Sequence, residues 1–219
     1  MLLELITRGL IGLFGLWTLL PAAVVLDRLA VIAGTHAIKA SDIDRDIRLT
    51  DFLNREPLNL KAKAKHEAAE RLITQEIIRD EIVTGGFRRP SDSEAVQLKA
   101  ELRRDRFGDS EQRMREALQR YGLTEDELQE QLLWQITVLR FIDERFRAGV
   151  VVTDDDVRNY YDQHIAELRQ QYPRNSSLDV LAPKIRASLE GERINQNFNE
   201  WLDQARKSLR IEYKQGAPE

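Results

Sequence analysis

The chain has 219 residues, 42% of them hydrophobic and 32% charged, with a formal net charge of −4 and no cysteine. That length is enough to bury a substantial core. The acidic balance leaves no basic excess with which to displace counterions from phosphates, so no nucleic-acid partner is expected. The missing thiols exclude disulfides, thiol catalysis and zinc-thiolate sites.

From the N-terminus, Gly9 to Leu26 (GLIGLFGLWTLLPAAVVL) carries no charge and is densest in apolar residues from Leu10 to Leu20. With Pro21, Ala22 and Ala23 behind it, the run matches the core of a signal peptide, and cleavage is expected near Ala23. The competing reading is an uncleaved anchor, because the run lies near the lower limit of spanning length, about 17–25 residues. Residues 1–23 are therefore read as a signal peptide or N-terminal membrane segment. On either reading the rest of the chain is expected to be periplasmic or secreted, touching a membrane only through this segment if it is uncleaved.

Leu29 to Ala33 and Thr35 to Lys39 are two short apolar-rich runs separated by Gly34, which predicts a β-hairpin. Ser41, with Asp44 three residues on, predicts an N-cap and capping box for a helix reaching Leu53 and stopping near Pro57. Ala69, Leu72, Ile73 and Ile77 repeat at three- and four-residue spacing in a helix over Lys61 to Val83, closed by Gly85 and Gly86. Pro90, Ser91 and Glu94 open the next helix, to about Asp105, and Asp109 with Gln112 opens another, carrying Met114, Leu118 and Tyr121 to Gly122. Thr124 and Glu127 form a capping box for the longest periodic helix of the segment, with an apolar stripe through Leu128, Leu132, Gln135 or Ile136, Leu139, Ile142 and Phe146.

Thr153 then precedes Asp154, Asp155 and Asp156, three carboxylates where the helix dipole favours negative charge. Successive helical residues point about 100° apart, so capping accounts for them better than a shared metal ion does. That helix runs to about His164, and Gln170 to Ser177 reads as loop. A last long helix is predicted from about Pro183 to Leu209, followed by a half-buried strand over Arg210 to Lys214. Two strands alone are marginal in water, so the hairpin is expected to pair with this final strand and close the domain. The expected fold is mostly α, with a small β-hairpin plus a C-terminal strand.

His36, His66 and His164 have no partner at helical spacing, and the chain contains no G-x-S-x-G, P-loop, G-x-G-x-x-G or H-E-x-x-H motif. Neither an enzyme nor a cofactor is expected. Phe146, Phe198 and Trp201 lie on apolar stripes and read as core. Phe107, Trp134 and Phe141 lie off the dominant stripes. With Met114 they are the candidate client-binding residues, forming a second apolar surface that either holds unfolded chains or buries itself in a homodimer.

The order of hairpin AVIAGTHAIKASDID, helix AAERLITQEIIRDEI, a capped helix pair and the stretch YGLTEDELQEQLLWQITVLRFIDERFRAGVVVTDDDVRNYYDQH resembles the N-terminal domain of the SurA family of periplasmic chaperones. PrsA and trigger-factor-like relatives have similar modules. The likeness covers Asp27 to His164, and Glu192 to Lys214 is similar to the helix and strand with which that family returns to its N-terminal core. The resemblance implies residues 24–164 as the helical domain, residues 165–182 as a linker in place of the family's parvulin prolyl-isomerase domain, and residues 183–214 as the segment completing the first domain. The 165–182 interval is too short for a parvulin sheet and its histidines, so isomerase activity is not carried over. What remains is an ATP-independent chaperone-like module whose partners are unfolded or exported polypeptides.

Overall fold

The computed structural model describes residues 27–214, so the signal-peptide or anchor reading of the first residues lies outside the described part. Strand β1 (Leu29–Ala33) turns at Gly34 into β2 (His36–Lys39), and helices α1 (Ala40–Asn54) and α2 (Ala62–Thr84) follow. Then come α3 (Asp92–Phe107), α4 (Glu111–Tyr121), α5 (Glu125–Phe146), α6 (Asp154–Gln171), α7 (Leu178–Ser208) and β3 (Ile211–Tyr213). The molecule is mostly helical with one small antiparallel sheet, as its apolar periodicities predict.

The sheet has the order β2-β1-β3, so the last strand lies beside the first. Val31, Ile32 and Ala33 pair with Tyr213, Glu212 and Ile211. The Gly34 N–H donates to the Arg210 carbonyl at 2.8 Å, and the Lys214 N–H to that of Ala30 at 2.9 Å, one at each end of β3. Gly34 has φ +61°, so the turn favours glycine, and a Cβ there would also press on the Leu209 side chain, meeting Cδ1 at 2.8 Å. The Tyr213 hydroxyl and Arg206 both bond Glu70 of α2. Burial and the Glu70 bond push the Tyr213 phenol up to about 12, which keeps it a donor at ordinary pH.

Three apolar clusters make the body. The sheet, the first half of α1 (Ile43, Ile47) and α2 (Ala69, Ile73) bury one, covered by Trp201 and Leu202 of α7 and by Leu209 just after it. The other side of α1 (Leu49, Phe52) buries the second against Met114 and Leu118 of α4 and Leu128 and Leu132 of α5. The third holds Ile78 and Ile82 of α2, Phe141 and Phe146 of α5 and Ile194 of α7. A fourth lies between α6 and the first half of α7, with Val157, Leu168, Leu181 and Ile185.

Several sequence expectations shift in detail. Helix α1 starts earlier than Ser41: Lys39 is its N-cap, and its N–H donates to Asp42 at 2.9 Å, while Ser41 bonds Asp27 instead. The cap of α4 is Ser110, which accepts the Arg113 N–H at 3.3 Å, and Asp109 takes a left-handed φ of +60° in the preceding turn. Helix α6 continues to Gln171 and α7 begins at Leu178, so the presumed 165–182 linker shrinks to residues 172–177 and Pro183 lies inside a helix. Tyr161 accounts for part of this: its hydroxyl donates to the Ser176 carbonyl at 2.8 Å and fixes the connection. The capping boxes at Ser91 and Thr124 form as expected, and the capping expected at the start of α6 takes the form of a further box between Thr153 and Asp156.

Candidate functional site

Helices α1 and α2 pack closely on one another, and α5 meets α1 through Leu128 and Leu132 and α2 through Phe141, leaving a gap between these contacts. The gap is a cleft of about 480 Å³, open along one side. Its apolar surface is Ile38 of β2, Leu49 of α1, Leu72 of α2, and Leu133 and Trp134 of α5. Its rim is charged. Arg45 of α1 reaches across to Glu127 of α5 at 3.1 Å, and both line the cleft, so an ion pair spans α1 and α5 at its edge.

Trp134 occupies this cleft by helical phase. The buried face of α5 runs through Leu128, Leu132, Thr137 and Phe141, and Trp134 lies to one side of it, half-buried against the third cluster. The Arg79 guanidinium lies 4.5 Å from the centre of the Trp134 ring, a cation–π contact, and Arg79 Nε is 3.4 Å from Glu76. Asp46, 7% exposed, closes the floor. It accepts Arg71 Nε at 2.9 Å and Arg71 Nη2 at 2.6 Å on one oxygen, and Gln75 at 3.3 Å on the other. Burial pushes the Asp46 carboxyl above its usual range against the opposing pull of Arg71.

The four candidate client-binding residues separate. Trp134 lines the cleft just described. Phe107 lines another, of about 310 Å³, where it stacks on Phe52 with ring centroids 6.4 Å apart beside Arg106 and Tyr121. Met114 and Phe141, each 1% exposed, are core residues and present no surface in this conformation. For Phe141 the reason is a misplaced stripe. The long helix buries Thr137 and Phe141, whereas Leu139, expected on the apolar stripe, is 67% exposed. Phe141 contacts the rings of Phe87, Phe146 and Trp201 at centroid distances of 5.0, 5.8 and 5.6 Å.

The sequence does not mark Leu72, Leu133 or Arg79 as cleft surface. The available signal was their i, i+3 and adjacent positions to Gln75 and Trp134, but only the packing of α2 across from α5 brings them together. The three aspartates at the start of α6 take different partners: Asp154 pairs with Arg186 at 2.5 Å, Asp155 with Arg158 at 3.2 Å and Asp156 with Arg193 at 3.1 Å. Among the described residues no group of three or more His, Cys, Asp or Glu is placed to hold a metal ion. Nor is any described helix long and apolar enough to cross a membrane. No protein-family model matches the chain, and no curated protein matches it.

Proposed function

We propose that the protein is an exported, ATP-independent chaperone-like module that binds segments of unfolded or exported polypeptides in the α1–α2–α5 cleft, without isomerase activity. The observation that carries this reading is the cleft itself: an apolar strip of Ile38, Leu49, Leu72 and Leu133 beside the half-buried Trp134, set among charged side chains and open along one side. The resemblance of the element order to the SurA N-terminal domain supports the reading, as does the uncharged run from Gly9 to Leu26 for export. A client segment burying roughly 300 Å² of apolar surface gains on the order of 7 kcal/mol before ordering costs, which leaves weak and reversible binding.

Suppression of aggregation of an unfolded outer-membrane protein by the purified full chain tests it. The expected result is suppression at modest molar excess, reduced in Trp134→Ala, with proline isomerisation in a peptide assay staying at the uncatalysed rate. Failure to suppress across several clients removes the chaperone reading. The exposure of Leu139 (67%) on α5 and Val96 (47%) on the neighbouring α3 favours a second reading, an assembly protein that self-associates through this outer face. A stable dimer by solution mass that ignores unfolded chains and dissociates in Leu139→Glu selects it.

A further inference from the structure

His36 opens β2, and its ring is held between two carboxylates one helical turn apart on α2. Its Nε2 is 2.7 Å from Asp80 Oδ1, and its Nδ1 is 3.3 Å from Glu76 Oε2. A neutral imidazole has one N–H and one lone pair, so it donates to only one of them and turns a lone pair on the other. The Asp80 contact is a hydrogen bond and the Glu76 contact a charge contact, so both are favourable together when the ring is an imidazolium. Among the described residues, these two carboxylates are the charged groups in contact with the ring.

The ring is also connected to the cleft. Glu76 lines it, and the same carboxylate oxygen that faces His36 is 3.4 Å from Arg79, whose guanidinium lies on Trp134. Ala37 and Ile38, the next two residues of β2, form part of the cleft wall. Further charges close this environment: Asp42 and Arg45 of α1 line the same cleft, and beyond the Gly34 turn Arg210 pairs with Glu212 at 2.5 Å. His36 thus joins the hairpin edge to the acidic face of α2, and it shares a partner with the cation on the cleft tryptophan.

We propose that His36 is a pH-responsive latch on the cleft. Protonated, it ties β2 to α2 through Glu76 and Asp80 and holds the Ala37–Ile38 wall in place. Deprotonated, it gives up one of the two carboxylates, the wall loosens and Glu76 redistributes toward Arg79. The consequence for binding rests on the cleft being the client site, as proposed above. A preformed wall binds an apolar segment more tightly, so affinity is greater with the imidazolium.

The test uses the purified full chain and fluorescein-labelled, reduced and carboxymethylated α-lactalbumin as a permanently unfolded probe. Anisotropy is read from pH 5 to 8, the span over which imidazoles change charge, at constant ionic strength. Affinity is expected to fall about two- to fivefold across that span in the parent, the scale of one partly exposed ion pair, and to lose this component in His36→Gln. In parallel, the Ile38 methyl and Trp134 indole N–H resonances are expected to follow the titration of the His36 ring and to stop doing so in the variant. Resonances that ignore the His36 titration overturn the latch. Resonances that titrate while the probe binds at no pH leave the latch standing and overturn the client site instead. Equal pH slopes for probe binding by parent and variant overturn the coupling of latch to binding.

Discussion

The body and the α6–α7 hairpin are built on different plans. In the body every element is buried against at least two others. Helix α1 shares one cluster with the sheet and α2 and another with α4 and α5, and the second half of α7 lies across α2 and α5. The α6–α7 hairpin has one cluster, formed by α6, the first half of α7 and Val152. The continuous helix α7 carries the arm into the body, and Arg186 and Arg193 along it donate to the carbonyls of Val152 and Val151 in the connection between α5 and α6. The difference shows what a closed chain requires. The body is closed by β3 on β1 and needs all its parts, whereas the arm is a local unit whose opening leaves the body's clusters intact.

The largest effect expected on this contrast is in the body. Phe141→Ala removes a ring that touches Phe87, Phe146 and Trp201, and it leaves a cavity where α2, α5 and α7 meet. The cost is expected to be about 3–5 kcal/mol, a large part of the roughly 5–15 kcal/mol that holds a domain together. Chemical denaturation followed by far-ultraviolet circular dichroism should show one transition moved to much lower denaturant. A variant that melts like the parent would show that the third cluster does not hold the body together.

In the arm, Leu181→Ala truncates a side chain that is 1% exposed. The local cost is about 2–4 kcal/mol. Because the arm's cluster is separate, amide exchange should accelerate in α6 and the first turns of α7, while α1, α2 and α5 keep their protection. Equal acceleration in the body would merge the two regions into one cooperative unit.

The same contrast decides what could be read from the sequence. Elements whose signal is local were legible: the hairpin at Gly34, the capping boxes at Ser91 and Thr124, the acidic first turn of α6, and the closing strand. Errors fall where long-range packing overrides a local pattern. Lys39 caps α1 because Asp42, not Asp44, lies at its third position, and both pairings fit the same string of residues. Helix α5 has apolar residues on two faces, and only the arrival of α2 and α7 decides that Phe141 is buried while Leu139 faces outward. The cleft was half legible. Trp134 stood out as lying off the stripe, but Arg79, Glu76 and His36 are ordinary polar residues until α2 and β2 are placed side by side.

The smallest effect concerns two carboxylates, one in each region, whose titrations are displaced in opposite directions. Asp46, in the body, is raised by burial, so its protonated form is favoured by folding. The stabilisation it brings is present below its ordinary value of 3.8 and is lost as pH rises through its folded value. Asp156, in the arm, is lowered to about 2 by the Thr153 N–H, then Arg193 and the Thr153 hydroxyl, so its stabilisation is present above 3.8 and disappears as pH falls toward 2. Acid should therefore loosen the arm before the body. Backbone carbon shifts of α6 recorded from pH 5 to 2 are expected to move toward unfolded values in the parent, and Asp156→Asn should show the looser values already at pH 5. Asp46→Asn should leave α6 unchanged while removing a component of body stability that grows with acidification. If Asp156→Asn alters α1 and α2 as much as α6, the acid response belongs to the whole molecule and the separation of arm from body fails.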